Sequence, residues 1–69
     1  MRRATRHSYL TKARDDFGVA FFITLCGRHL PEDSASALWI EDFEVLWENQ
    51  ERSDLCLHCA TEMRLEGAN

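Results

Sequence analysis

Cys56-Leu57-His58-Cys59 contains two of the three cysteines in this chain of 69 residues. The third cysteine lies in the segment Thr24-Leu25-Cys26-Gly27-Arg28. We expect these two segments to determine the fold. Two cysteines separated by two residues allow both sulfurs to converge on one tetrahedral metal ion, with Zn–S bonds of about 2.3 Å. Such a pair is half of a four-ligand site, and the other half must come from Cys26 and one histidine. Three thiolates and one imidazole are a usual ligand set for structural zinc. We therefore predict one structural Zn²⁺ per chain.

Two histidines are candidates for the fourth ligand. His29 forms Cys26-x-x-His29, which repeats the local spacing of the other pair. His7 begins a predicted strand, and pairing of that strand with residues 18–25 would bring it close to Cys26. His58 lies between two ligands and would have to fold back, so it ranks last. The residues alone leave both His7 and His29 open.

Length and cysteine count define the class of protein. A chain of 69 residues is expected to form one domain, residues 1–69, with residues 1–5 as a flexible basic arm. A core of this size rarely supplies more than about 3–5 kcal/mol, so a metal or a partner is expected to add stability. The three cysteines are an odd number for a closed disulfide framework. With no signal peptide recognised, we expect a cytoplasmic protein, in which reduced thiols favour metal binding.

The patterns along the chain predict a small α+β zinc-stabilised domain. Residues 7–11 and 18–25 favour two strands that pair as an N-terminal β-hairpin, with a turn at residues 15–18. The segment 28–36 is predicted to be a loop, and the aromatic spacing of residues 37–49 favours a helix over a strand.

A zinc knuckle at Cys26 is expected to precede a final helix that carries the C-x-x-C in its first turn. Ser53 or Asp54 would cap this helix, which would run through residue 66 with Gly67 as its C′ residue. The arrangement would be similar to a zinc finger of the treble-clef type.

The chain resembles a group of short actinobacterial and actinophage proteins. The shared features are an early histidine, a Thr-x-Cys-Gly-Arg element and a C-x-x-C near the end, which here are His7, residues 24–28 and residues 56–59. The resemblance implies a zinc-binding fold with four ligands, namely His7, Cys26, Cys56 and Cys59. It implies no definite activity, and the long aromatic segment between Gly27 and Cys56 departs from the pattern.

The sequence predicts a protein without catalytic activity. A shell of four protein ligands leaves no open position for water, and no H-E-x-x-H or comparable catalytic motif is found. We expect a protein-interaction or regulatory module, with Trp39, Phe43 and Trp47 in an acidic segment as candidate contacts for a protein partner. In the simpler interpretation these aromatics cover the core. A homodimer through the same segment, and a role in the host cytoplasm if the chain is phage-encoded, are compatible with this expectation.

Nucleic-acid binding is the alternative. The first 14 residues carry five cations and no acid, and Tyr9 among them could stack on a base. These cations are Arg2, Arg3, Arg6, Lys12 and Arg14. The remainder of the chain has 12 acids against three arginines, a net charge of −9 that would repel phosphate from other faces. Nucleic acid is therefore the second choice, and no membrane partner is expected.

Overall fold

The computed structural model describes residues 5–67, which form a four-stranded sheet followed by two short helices. The elements, in chain order, are β1 (His7–Arg14), β2 (Ala20–Thr24), β3 (His29–Pro31), β4 (Ala37–Trp39), α1 (Ile40–Glu48) and α2 (Leu57–Glu62). The strands lie in the order β3-β2-β1-β4. The predicted α+β class is confirmed at this level, whereas the treble-clef comparison stays a prediction. None of the helices among residues 5–67 is long and apolar enough to cross a membrane.

The predicted hairpin forms the centre of the sheet. Strands β1 and β2 pair antiparallel, and β1 extends three residues beyond the predicted end. The loop between them is held by the Asp15 carboxylate, whose Oδ1 accepts hydrogen bonds from the backbone N–H groups of Phe17 and Val19, each at 2.9 Å. Gly18 adopts φ +79°, a conformation that side chains rarely allow. Asp and Gly thus determine the turn through the chemistry expected of them.

A β-bulge interrupts the pairing near the start of β1. Tyr9 lies opposite Thr24 while Thr11 lies opposite Ile23, so Leu10 is the extra residue. Side chains normally alternate between the two faces of a strand, and one inserted residue reverses that alternation. The bulge therefore allows Tyr9 and Lys12, three positions apart, to lie on the same face.

The segment predicted as a loop contains a short edge strand instead. Strand β3 pairs antiparallel with β2, with His29 opposite Ile23 and Pro31 opposite Phe21. Pro31 lacks an N–H donor, and a proline is tolerated in a sheet at an edge. Three residues are too few for a hydrophobic period to show, which is why the loop prediction was wrong here.

Residues 37–49 divide into a strand and a helix. The predicted helix is correct only from Ile40, because Ala37–Trp39 form β4, which pairs parallel with the first residues of β1. Trp39 is both the last strand residue and the N-cap of α1, with φ −57° and ψ 144°. The alternation of Phe43, Val45 and Trp47, which would also suit a strand, lies within α1, so the helical spacing is the correct one for these residues.

The last helix is much shorter than the prediction from residue 53 or 54 to residue 66. Cys56 is the N-cap of α2 with an extended backbone, so only Cys59 of the C-x-x-C lies in the first turn. The helix ends at Met63, because Arg64 takes φ +58° and the Leu65 N–H bonds the Ala60 carbonyl oxygen at 3.1 Å. Arg64, rather than Gly67, supplies the left-handed residue after the helix.

The hydrophobic core lies between the helices and the His7 end of the sheet. Its buried members are Phe43, Trp47, Leu55, Cys56, Cys59 and Ala60, with Leu38 among the partly buried residues packed on them. Trp47 lies at the side of the core away from the sheet. Its indole N–H donates to the Glu66 carbonyl oxygen at 2.8 Å, and the Arg52 guanidinium lies over its ring. Two of the six buried hydrophobic residues are thus cysteines, which places the candidate metal ligands inside the core.

Candidate metal centre

Four side chains from distant parts of the chain converge at one end of the core. One donor atom from each of His7, Cys26, Cys56 and Cys59 lies within 4.8 Å of the other three. The Cys26 Sγ lies 3.3 Å from the His7 Nδ1. All three cysteines are free thiols. The predicted grouping of residues is therefore present, and it has the geometry of a metal site.

Backbone pairing places His7 beside the C-x-x-C. Arg6 forms an isolated parallel bridge with Leu55. The Arg6 N–H donates to the Asp54 carbonyl oxygen at 2.7 Å, and the Cys56 N–H donates to the Arg6 carbonyl oxygen at 2.9 Å. The chain entering β1 is thereby fixed against the chain entering α2. His7, the next residue, must then lie close to Cys56.

Cys26 reaches the same point from the turn that follows β2. The Gly27 N–H donates to the Thr24 carbonyl oxygen at 3.0 Å, and Gly27 has φ +89° with no atom near the position of a Cβ. A residue with a side chain would be strained in that conformation. The glycine that follows Cys26 thus turns the chain back towards β3 and leaves the thiol facing the cluster.

The arrangement fits a tetrahedral ion. Bonds of about 2.0–2.3 Å to nitrogen and sulfur give donor–donor edges of about 3.3–3.8 Å in a regular tetrahedron. The distance between Cys26 and His7 already equals such an edge, and the other separations require only small side-chain movements. Burial also matters: Cys59 is completely buried and His7 is 7% exposed, so few waters can solvate these groups.

Two further groups hydrogen-bond the sulfurs. The Ser8 N–H donates to the Cys59 Sγ at 3.4 Å, and the Thr24 hydroxyl lies 3.1 Å from the Cys26 Sγ. Because the Thr24 oxygen already accepts the Arg28 N–H at 2.9 Å, its own proton is available for the sulfur. Donors of this kind stabilise thiolates and orient metal ligands.

Burial and hydrogen bonds shift the pKa values of Cys59, Cys26 and His7 in different directions. Burial raises the pKa of Cys59 to about 12, so this thiol keeps its proton until a cation replaces it. Burial also opposes ionisation of Cys26, but hydrogen bonds, first that of Thr24, bring its pKa below the usual range. Burial, assisted by the Arg28 charge, lowers the pKa of His7, which keeps the imidazole neutral and able to bind a metal.

The other two histidines lie outside the cluster. His29 is exposed on β3 and packs its ring against Phe21, with centroids 5.0 Å apart. His58 is exposed on α2. Between the two candidates for the fourth ligand, the structure thus brings His7 and not His29 to the cysteines.

The structure separates the three aromatic candidates for partner contact. Phe43 and Trp47 are 0% and 2% exposed, and therefore stabilise the core as in the simpler interpretation. Trp39 is 38% exposed and does not belong to the core cluster. Of the three, only Trp39 presents substantial surface to a partner.

The cations of the predicted nucleic-acid arm differ in their surroundings. Arg6 forms a two-pronged ion pair with Asp54, at 2.6 and 3.0 Å, and is occupied in holding the fold. Lys12 pairs with Glu32 at 2.8 Å on the surface, and Arg14 donates to the Gly18 carbonyl oxygen at 2.9 Å. Arg2 and Arg3 lie outside the described residues.

Ser8 and Thr24 are the site residues that sequence reasoning did not find. A hydroxyl two residues before Cys26 is a signal that could have identified Thr24, because a turn at that spacing brings the two side chains together. Ser8 contributes a backbone N–H, for which no side chain is diagnostic. Comparison of the chain with protein-family models, curated proteins and solved structures gave no match.

Proposed function

We propose that this protein is a non-catalytic binding domain whose fold depends on one structural Zn²⁺ held by His7, Cys26, Cys56 and Cys59. The observation that supports the proposal is the convergence of three thiols and one imidazole within 4.8 Å. Soft sulfur donors with one nitrogen at tetrahedral spacing favour zinc over magnesium, calcium or manganese, which prefer oxygen ligands.

The ligand set favours a structural role for the metal. A catalytic zinc site keeps one position for water and places a general base near it, whereas four protein ligands fill a tetrahedral shell. The groove beside the cluster is lined by residues such as Arg28, Leu57 and His58, and its lining includes no carboxylate. These features support a metal that supplies folding energy.

The size of the core explains why a metal would be needed. Only six hydrophobic residues are fully buried among the residues described, and two of them are the candidate ligands Cys56 and Cys59. Without the ion these two thiols would contribute little more than small apolar groups. Structural zinc supplies on the order of 10–16 kcal/mol of apparent binding energy in small domains at neutral pH. A contribution of this size exceeds the stability expected from the core alone.

Metal content and folding should be measured on the same samples. Elemental analysis of the purified chain should give one zinc per chain, and circular dichroism should show loss of structure when a chelator removes it. His7→Ala should lower the zinc affinity by at least about 100-fold, as expected for loss of one ligand from a structural site. His29→Ala is the matched control, since His29 is exposed and outside the cluster.

Two results would contradict the proposal. A chain that contains no metal and keeps its structure in chelator would leave the cysteines as ordinary core residues. Equal zinc affinity in His7→Ala and the unsubstituted chain, with a loss in His29→Ala, would assign the fourth ligand to His29. The search for the protein partner or the regulatory role, which we expect from the acidic surface, would then have to start from a different structure.

A further inference from the structure

The sheet has one face that the helices do not cover. Leu38 packs on the core and Ser8 is completely buried, so the face that carries these two side chains is the one against the helices. Neighbouring residues on a strand point to the opposite side. Tyr9 and Trp39, which follow Ser8 and Leu38 and lie opposite each other in the β1–β4 pairing, therefore occupy the other face.

Three aromatic rings lie side by side on this face. The Tyr9 ring stacks on Phe22, with centroids 3.9 Å apart and an angle of 11° between planes. Trp39 also contacts Tyr9, with centroids 5.6 Å apart and an angle of 66° between the ring planes. None of the three belongs to the core cluster or to the partly buried residues packed against it. We call this surface, defined by Tyr9, Phe22 and Trp39, the aromatic face.

Cationic groups lie on the same face. Lys12 is the cross-strand neighbour of Phe22, and such neighbours share a face. Arg14, two residues further along β1, points the same way, and both residues are exposed. Glu32 pairs with Lys12 and offsets part of this charge. The exposed acids of α1, by contrast, lie on a helix that packs through Phe43 and Trp47 and belongs to the opposite side of the sheet.

We propose that the aromatic face binds single-stranded nucleic acid, with a base stacked on Trp39 and phosphates near Lys12 and Arg14. The rings of Tyr9 and Phe22 stack on each other and support this surface, whereas the exposed Trp39 indole can stack on a planar base, and cations beside it attract the backbone. A second copy of the chain is less suited to this face, because both copies would bring the exposed cations Lys12 and Arg14 to the same contact, where like charges repel. The surface is separate from the metal centre, so the inference goes beyond the zinc-dependent fold.

The binding test uses fluorescein-labelled oligo-dT and oligo-rU of 12 nucleotides with the zinc-loaded full chain. Fluorescence anisotropy measures the dissociation constant at several salt concentrations. Trp39→Ala should weaken binding by at least about fivefold, as expected for loss of one base–ring stack. Trp39→Phe, which keeps a ring, should retain most of the affinity. Val45→Ala is the matched control, since Val45 is 54% exposed on α1 and lies away from the aromatic face.

Charge variants provide an independent readout. Lys12→Gln and Arg14→Gln should each reduce the slope of log affinity against log salt by about 0.7, the value for one phosphate contact on a single strand. Arg64→Gln, an exposed cation beyond α2, should leave that slope unchanged. Glu32→Gln should strengthen binding severalfold, because it releases Lys12 from its ion pair.

Three results would overturn the proposal. The first is an anisotropy of the labelled oligonucleotide that does not rise when the zinc-loaded chain is present in 100-fold molar excess over it. The second is equal binding of polyglutamate, which would show attraction of any polyanion without stacking. The third is a dimer in sedimentation experiments that Trp39→Ala dissociates, which would make the aromatic face a contact between copies. Zinc content and circular dichroism of each variant separate these outcomes from a failure of the metal-dependent fold.

Discussion

The backbone N–H of Ser8 donates to the Sγ of Cys59 at 3.4 Å, although 51 positions separate the two residues in the chain. Strand β1 thus contributes twice to the metal centre, through the His7 imidazole and through the next amide. The Cys59 thiol in turn approaches the Ser8 carbonyl oxygen at 3.8 Å. When a metal displaces the proton of the Cys59 thiol, the Ser8 N–H donor stays in place and stabilises the thiolate.

Ser8→Ala should stabilise the protein. Within residues 5–67, the Ser8 hydroxyl oxygen is buried and has no hydrogen-bond partner. An unsatisfied buried polar group costs about 1–3 kcal/mol, and alanine removes it while leaving only a small void. We expect the free energy of unfolding to rise by about 1 kcal/mol in urea denaturation at fixed zinc concentration. Ser53→Ala, at an exposed position, should have little effect, and a clear loss of stability in Ser8→Ala would show that the hydroxyl has a partner.

Zinc affinity should fall as pH falls, with a slope that identifies His7 as a ligand. Thiols of the unfolded chain are protonated below about pH 8.5, so about three protons leave with each zinc bound. Below about pH 6.5 the histidine is also protonated and a fourth proton must leave. The slope of log affinity against pH should therefore increase from about three to about four in competition titrations.

His7→Ala should keep the slope near three at every pH, because there is then no imidazole from which the metal must displace a proton. Burial lowers the pKa of His7 in the folded chain, so protonation there begins at a lower pH than in the unfolded chain. A metal-free chain that remains folded would consequently show the change of slope below about pH 6.5. A steepening that persists in His7→Ala would assign the fourth proton to another group.

The ion pair of Arg6 with Asp54 should be energetically significant. Both carboxylate oxygens are engaged, and the side chains are 28% and 9% exposed. A double-mutant cycle with Arg6→Ala and Asp54→Ala should give a coupling energy of about 1–3 kcal/mol, typical of a partly buried charged pair. The exposed pair of Lys12 and Glu32 is the comparison and should show coupling near zero. A coupling energy near zero for the Arg6–Asp54 pair as well would mean that backbone pairing alone holds the chain at Arg6.

The two tryptophans should differ in solvent access. Trp39 is 38% exposed and Trp47 is 2% exposed, so acrylamide should quench mainly the emission of Trp39. Trp39→Phe should leave a protein with weakly quenched, blue-shifted emission, and Trp47→Phe should leave one that is readily quenched. Strong quenching in Trp39→Phe would show that the core around Trp47 admits solvent.

Local chemistry in the sequence was sufficient for the hairpin and for the candidate site. Asp15 and Gly18 determine their turn through contacts with immediate neighbours, and β2 is apolar enough to be recognised. The pairing of β1 with β2 then carries His7 towards Cys26, as inferred from the strand pattern. Residue type and one pairing were therefore enough to predict the three cysteines with either His7 or His29, and the structure brings His7 to them.

Elements that depend on distant partners were not predictable in the same way. Strand β4 owes its conformation to parallel pairing with His7, Ser8 and Tyr9, thirty positions earlier in the chain. The start of α2 depends on the bridge between Arg6 and Leu55, which holds residue 56 extended. Contacts between distant residues leave no trace in the local hydrophobic periodicity. The local pattern therefore indicated a longer helix at both places.

The position of the candidate ligands along the chain has a consequence for synthesis. His7 and Ser8 leave the ribosome before Cys59, which follows 51 positions after Ser8. At about 5–20 residues per second, some 3–10 s pass before the last thiol can meet the first imidazole. During that interval the nascent chain holds free cysteines without their partners. If the chain binds zinc as proposed, the cell's supply of exchangeable zinc and its reducing capacity then decide the fraction of chains that mature.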